Sequence, residues 1–267
     1  MIGLLLAVIF SANQGSAMQL TFPHETGIKS VEVRWERRSI PTVRVENSWA
    51  TIVGVDLDVK PGEHKADVLF AMDDGRVDKL EIVIMVVEKK YPTTELKVED
   101  KFVQLSKADQ TRANREAKEI EAIYNAVTNE KLWSGDFTSP IPGRTGANFG
   151  HRRVFNGEAR APHAGADLRA STGTPIHATN RGRAVLAKNL FFTGNTVILD
   201  HGFGIYSLYA HLSRINVKQG ETVKNGQVLG LAGATGRVTG PHLHWGIRAQ
   251  GARVDPFSLV EMVRDGK

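Results

Sequence analysis

The sequence predicts a mainly β chain of two domains joined by a helical connector, on three observations. Residues 18 to about 90 place apolar side chains at every second position, and residues 106–127 place them at helical spacing. From Phe137 onward the chain turns glycine- and histidine-rich and breaks into short β-runs. These changes divide it into 1–17, 18–98, 99–136 and 137–267. At 267 residues it is long enough to bury a sizeable core.

Met1 to Ala17 holds the apolar run Leu4–Phe10, with Gly15-Ser16-Ala17 as a small-residue cleavage pattern, and reads as a secretory signal peptide without a basic n-region. The run is too short to cross a bilayer, and no other segment resembles a membrane-spanning helix. A periplasmic or secreted protein is expected.

Within 18–98, Val31, Val33 and Trp35 form one alternating set, and Val53, Val55, Leu57 and Val59 another. Val68, Phe70 and Met72 lead into the hairpin turn Asp73-Asp74-Gly75-Arg76, and Leu80, Ile82, Ile84 and Val86 follow. Several short strands at regular spacing predict a small, immunoglobulin-like β-sandwich. An extended connector comes next. Ser106 then stands three residues before Asp109, and Ala113, Ala117, Ile120, Ile123, Tyr124 and Val127 continue at helical spacing: a capped amphipathic helix of about five turns, most simply a packed inter-domain strut. In 137–267 the β-runs Ala184–Ala187, Thr196–Asp200, Tyr206–His211, Val228–Leu231 and Leu243–Ile247 predict an antiparallel β domain.

Composition narrows the chemistry. Apolar residues (41%) and charged residues (24%) are those of a globular protein. Cysteine is absent, so any metal must sit on histidine and carboxylate. Residues 1–136 carry 18 basic and 22 acidic side chains, whereas 137–267 carry 16 and 7, so the second half has a net charge of +9. A basic half suits an anionic partner, and it also allows the acidic sandwich to dock across it and restrain it.

Seven of the nine histidines lie in that basic half. In Gly240-Pro241-His242-Leu243-His244-Trp245, strand alternation turns both histidines to one face and Leu243 and Trp245 to the other. In His163-Ala164-Gly165-Ala166-Asp167 a straight strand would hold the end groups about 13 Å apart, so Gly165 must bend for them to converge. Two imidazoles and a carboxylate suit zinc, the second imidazole coming from His244 or His242, and leave a fourth position for water. With His211 in Tyr209-Ala210-His211-Leu212 there are imidazoles to spare for proton transfer.

Together with Thr235-Gly236, Gly173-Thr174-Pro175-Ile176 and Gly194-Asn195-Thr196-Val197, these motifs resemble the lysostaphin-type zinc endopeptidases of bacterial peptidoglycan, over about Phe149 to Pro256. The resemblance implies that His163, Asp167 and His244 bind Zn2+ and that His211 and His242 are the catalytic pair. It implies hydrolysis of amide bonds in peptide cross-links by a metal-activated water, and the N-terminal half looks like that of periplasmic Gram-negative members. Some members place a tyrosine shortly before the first metal histidine; here the stretch is Val154-Phe155-Asn156-Gly157, without a phenol. Arg152, Arg153 and Arg160 are candidates for holding substrate carboxylates.

Three other functions fit parts of this pattern. A catalytically inactive cell-wall regulator or amidase activator would share the fold, but all five site residues are present. A biotinyl- or lipoyl-type module would need a modifiable lysine between methionine-like neighbours, which Gln219–Gln227 does not offer. A nucleic-acid binder would need aromatics interleaved on a basic face, and none is evident.

Overall fold

The structure, a computed structural model, describes residues 8–96, 105–143, 146, 148–155, 157–159 and 161–262. Eight strands build the first domain: β1 (Ile9–Asn13), β2 (Ser16–Pro23), β3 (Ile28–Trp35), β4 (Arg38–Pro41), β5 (Val43–Val45), β6 (Ser48–Val55), β7 (Gly62–Met72) and β8 (Val77–Val87). They form a five-stranded sheet in the order β1-β8-β7-β3-β4 and a three-stranded sheet in the order β2-β6-β5. The alternation seen in the sequence is the reason: Val31, Val33 and Trp35 point inward with Val68, Ile82 and Ile84, and they meet Leu20, Phe22 and Val53 of the smaller sheet in one core. Gly75, at φ +87°, makes the β7–β8 turn where the Asp-Gly signal placed it.

One boundary moves. Residues 9–17, expected to belong to a cleaved leader, are built into this sandwich. β1 runs parallel to β8 from Ile9 to Asn13, Ala12 is buried in the core, and β2 begins at Ser16. An apolar run of this length reads equally well as a leader's core or as an edge strand with one face covered, and here it is a strand. Residues 1–7 lie outside the described residues.

The connector is more than a tether. β9 (Thr93–Leu96) pairs in parallel with β10 (Arg152–Phe155), which pairs with β11 (Glu158–Ala159), so the end of the first segment is woven into the second domain. Residues 97–104 fall outside the described residues. Helix α1 (Lys107–Asn125) starts as expected, the Ser106 hydroxyl accepting from the Asp109 N–H.

The second domain holds β12 (Ala166–Arg169), β13 (Pro175–His177), β14 (Gly182–Leu190), β15 (Gly194–Gly202), β16 (Ile205–Ile215), β17 (Thr222–Val223), β18 (Val228–Ala232), β19 (His242–Ala249), β20 (Ala252–Val254) and the short helix α2 (Pro256–Glu261). Its antiparallel sheet runs β12-β19-β16-β15-β14-β17, with β18 bridging β16 to β13 and β20 on β19. One face packs the main core around Leu168, Val197, Tyr209, Leu243, Trp245 and Ile247. The other carries Leu186, Ile198, Tyr206, Leu208 and Ala210, covered by Ile120, Ile123 and Tyr124 of α1.

The sandwich is joined to the far end of β19. Gln250, buried, donates to the Ile52 and Phe203 carbonyls and accepts from the Gly54 N–H. Arg253 grips Asp56 and Asp58 from there, and Ala17 donates to Ser258. Gln250 lies six residues beyond His244, about 20 Å along a strand. These contacts lie at the end of β19 away from His242 and His244. Among the described residues, no helix is long and apolar enough to cross a membrane.

Candidate metal centre

Register sets the site. Leu243, Trp245 and Ile247 of β19 are buried in the main core, which turns His242 and His244 to the opposite face. The edge strand β12 pairs with β19 so that Asp167 stands across from His244 and Arg169 across from His242. Just before β12 the chain bends at Gly165, where a Cβ would come within 2.6 Å of the Trp245 carbonyl and 2.8 Å of the His244 ring. Only glycine fits there, and the bend brings His163 back over its own strand.

Three donor atoms converge. His163 Nε2 lies 3.1 Å from Asp167 Oδ1 and 3.0 Å from His244 Nδ1, and His244 Nδ1 lies 2.9 Å from Asp167 Oδ1. Tetrahedral zinc with ligands at about 2.0–2.1 Å sets them about 3.3–3.4 Å apart, close to this triangle. The three residues form a group that could hold a metal ion. Proton positions agree. His163 Nδ1 lies 3.0 Å from the Asn148 carbonyl, which can only accept, so the proton sits on Nδ1 and leaves Nε2 a lone pair aimed into the triangle. Burial opposes the charge on Asp167, but in the metal-free protein the carboxylate is the partner of any proton that His163 or His244 takes up on this side, which outweighs burial and holds the carboxyl well below its usual range. Burial, with the neighbouring imidazoles adding to it, lowers the pKa of His244 and favours the neutral ligand form.

Asn148 was not singled out from the sequence. Its side-chain oxygen accepts from the Asp167 N–H at 2.8 Å, its amide donates to Asp167 Oδ2 at 2.7 Å, and its carbonyl holds His163. It buttresses both residues of the His-x-x-x-Asp motif. Its own neighbour Phe149 packs edge-on against Tyr91 of the connector.

His211 reaches the same face by a bulge. Tyr209 and Leu212 both belong to the main core, which regular alternation forbids for residues three apart. Between them the β15–β16 register shifts, and His211 adopts φ +63°. Its ring then stands 4.8 Å from that of His242 and 6.1 Å from that of His244. His211 Nδ1 meets the Thr235 carbonyl at 2.9 Å and His242 Nδ1 the Gly240 carbonyl at 2.9 Å, so in each neutral ring the proton is on Nδ1 and Nε2 is the accepting nitrogen. Burial pushes His211 down to about 4, so it is neutral at neutral pH. His242 Nε2 lies 3.7 Å from Asp167 Oδ1.

The structure thus brings together all five residues His163, Asp167, His211, His242 and His244. It treats the arginines otherwise. Arg152 faces Asp58 of the sandwich, 3.9 Å away; the side chain of Arg153 and the whole of Arg160 lie outside what is described. His151 is tied to Thr94, His177 to the Gly226 carbonyl, and His201 is buried, so none of the three joins the cluster.

The profile described as peptidase family M23 matches residues 161–256, a span that contains all five residues. Residues 161–256 thus form a peptidase M23 domain. The chain is 42% identical over 113 residues to the peptidoglycan DD-endopeptidase ShyA of Vibrio cholerae, covering 42% of this chain and 26% of that protein. It is 42% identical over 98 residues to the DD-carboxypeptidase/endopeptidase Mpg of Neisseria meningitidis, covering 37% of this chain and 23% of Mpg. The matched segment thus spans about a quarter of the length of these curated relatives. Beyond the M23 domain, the crystal structure of an M23 peptidase from Pseudomonas aeruginosa superposes with a TM-score of 0.70 at 28% identity, covering 91% of this chain and 93% of that one.

Proposed function

We propose that the chain is a zinc endopeptidase that hydrolyses amide bonds in the peptide cross-links of peptidoglycan, in the periplasm or outside the cell. The carrying observation is the triangle of His163 Nε2, Asp167 Oδ1 and His244 Nδ1, whose edges are 2.9–3.1 Å, with two further imidazoles beside it. The substrate class follows from the names of the relatives that share this domain. Two imidazoles and a carboxylate are the donor set of a zinc site that keeps a position open. Zinc held there supplies Lewis acidity, lowering the pKa of water to about 7 and polarising an amide carbonyl.

The chain's own groups handle the protons. His211 and His242, each with Nδ1 bound to a carbonyl, offer Nε2 as the acceptor for a proton from water and as its donor to the leaving amine. The depressed pKa of His211 keeps it ready to accept at neutral pH.

Incubation of the purified chain with defined cross-linked muropeptides, with and without chelator, tests the reading by mass spectrometry. Cleavage that chelator abolishes and zinc restores is expected; intact substrate in both arms refutes it. His211→Ala is expected to keep zinc and lose at least a hundredfold in rate, in keeping with a lost general base. His163→Ala is expected to lose both. Equal zinc loss in the two variants would contradict the division of roles.

A further inference from the structure

Arg169 is the residue of the site face that the proposed chemistry leaves unused. It is the last residue of β12, two along from Asp167 and on the same face, with the buried Leu168 between them on the core side. In the antiparallel register it stands across from His242, and directly opposed residues have Cβ atoms about 4.5–5.5 Å apart. The arginine is exposed, and among the described residues it has no hydrogen-bond or ion-pair partner. The one carboxylate on its strand cannot serve it: Asp167 Oδ1 is taken by His163 and His244 and Oδ2 by Asn148. A guanidinium is thus held within a side chain's length of the proposed reaction centre, at a sheet edge, with all its donors free.

We infer that Arg169 is a specificity-determining residue that binds a free carboxylate on a residue adjoining the scissile amide. The inference rests on the endopeptidase reading for its reaction, but the binding site itself does not. The planar guanidinium fork matches a carboxylate in two parallel hydrogen bonds. A flexible arm on an exposed strand end lets that fork swing toward either side of the bond. The positive charge also sits where the basic half draws an anionic peptide in. Substrates whose flanking carboxylates are masked as amides lose both the charge and the second acceptor, and turnover falls with them.

The test uses the full chain with zinc and cross-linked muropeptides in two forms, carboxylates beside the scissile bond free or amidated. The wild type is expected to favour the free form by roughly tenfold to a hundredfold in kcat/KM, the range for one charge-assisted contact, and chiefly through KM. Arg169→Ala is expected to abolish the preference, and Arg169→Lys to restore part of it, since a point charge replaces the fork. Equal use of the two forms by the wild type, or a preference that survives in Arg169→Ala, overturns the assignment. Calorimetric binding of the corresponding uncross-linked product peptides, acid and amide, separates this from the peptidase reading. An acid preference that Arg169→Ala removes, without cleavage of any muropeptide, sustains the carboxylate site and refutes the hydrolase; no acid preference in binding refutes the site.

Discussion

Asn148 shows how much of a metal site can rest on a neutral side chain. By fixing the Asp167 carboxylate and the His163 tautomer together, it pre-orients two of the three donors. Asn148→Ala keeps the carbonyl that holds His163 but frees Asp167, so zinc affinity is expected to fall about 10–100-fold. Competition with a fluorescent chelator measures this, and saturating zinc should return most of the activity. Asn148→Asp should be worse, because a second carboxylate would repel Oδ2; zinc binding equal to the wild type in both variants would deny Asn148 this role. That these five side chains would cluster was legible because paired histidines and His-x-x-x-Asp carry a spacing that few other demands impose, whereas their division into ligands and proton carriers came from the family resemblance alone. Asn148 was not, for an asparagine in a glycine-rich stretch 15 residues before His163 reads as turn chemistry. His211 was legible as a residue and illegible as a direction. Strict alternation would have buried it in the core, and only a left-handed bulge, costing on the order of 1–3 kcal/mol, turns it toward the site.

Helix α1 was legible as an amphipathic helix and as a packed one, but the stripe does not name the surface it covers. It lies on the sheet face that also bears the histidines, and its anchor is polar. The Glu116 carboxylate, buried against the sheet, accepts from the Phe191 N–H at 2.7 Å and from Arg112 at 2.7 Å. The same β14–β15 turn then offers the Thr193 carbonyl to the His211 N–H. Glu116→Ala leaves the Phe191 N–H without its acceptor and is expected to destabilise the chain by about 1–3 kcal/mol, read from the denaturant midpoint. Glu116→Gln keeps an accepting oxygen and should lose less. If both variants unfold with the wild type, the helix is held by its apolar stripe alone. Five strands of the second domain were legible as β-runs, although β14, β15, β16, β18 and β19 each extend beyond the expected run. The short strands β12, β13, β17 and β20 were not, because two to four residues show no alternation. The first strand of the sandwich was not, its apolar run being indistinguishable from a leader.

At the scale of the whole molecule, acid sensitivity follows from a histidine that takes no part in the site. His201 is fully buried between the Arg181 carbonyl and Ser207, and the relay continues through Tyr209 to the Thr179 N–H. Burial lowers its pKa to about 4. The unfolded chain therefore binds a proton below about 6.5 that the folded chain refuses, so the stability present above that pH is lost as pH falls toward 4. The loss should reach about 3 kcal/mol. His211, also depressed to about 4, adds in the same direction in the zinc-free protein. Unfolding midpoints at pH 7, 5.5 and 4 should fall steeply in the wild type and less so in His201→Gln; parallel slopes would place the acid sensitivity elsewhere.

The strand pairing of β9 with β10 has a practical outcome for anyone excising the catalytic half. Tyr91 sits on Phe149, its hydroxyl donates to the Gln14 carbonyl of the sandwich, and Thr94 bonds His151. A truncation cut at the family boundary, or at the helix, discards the prop behind Asn148 along with the linker. Such a fragment would not be an unleashed enzyme but one whose ligand cage has lost its backing, and a faithful minimal unit must start no later than Tyr91.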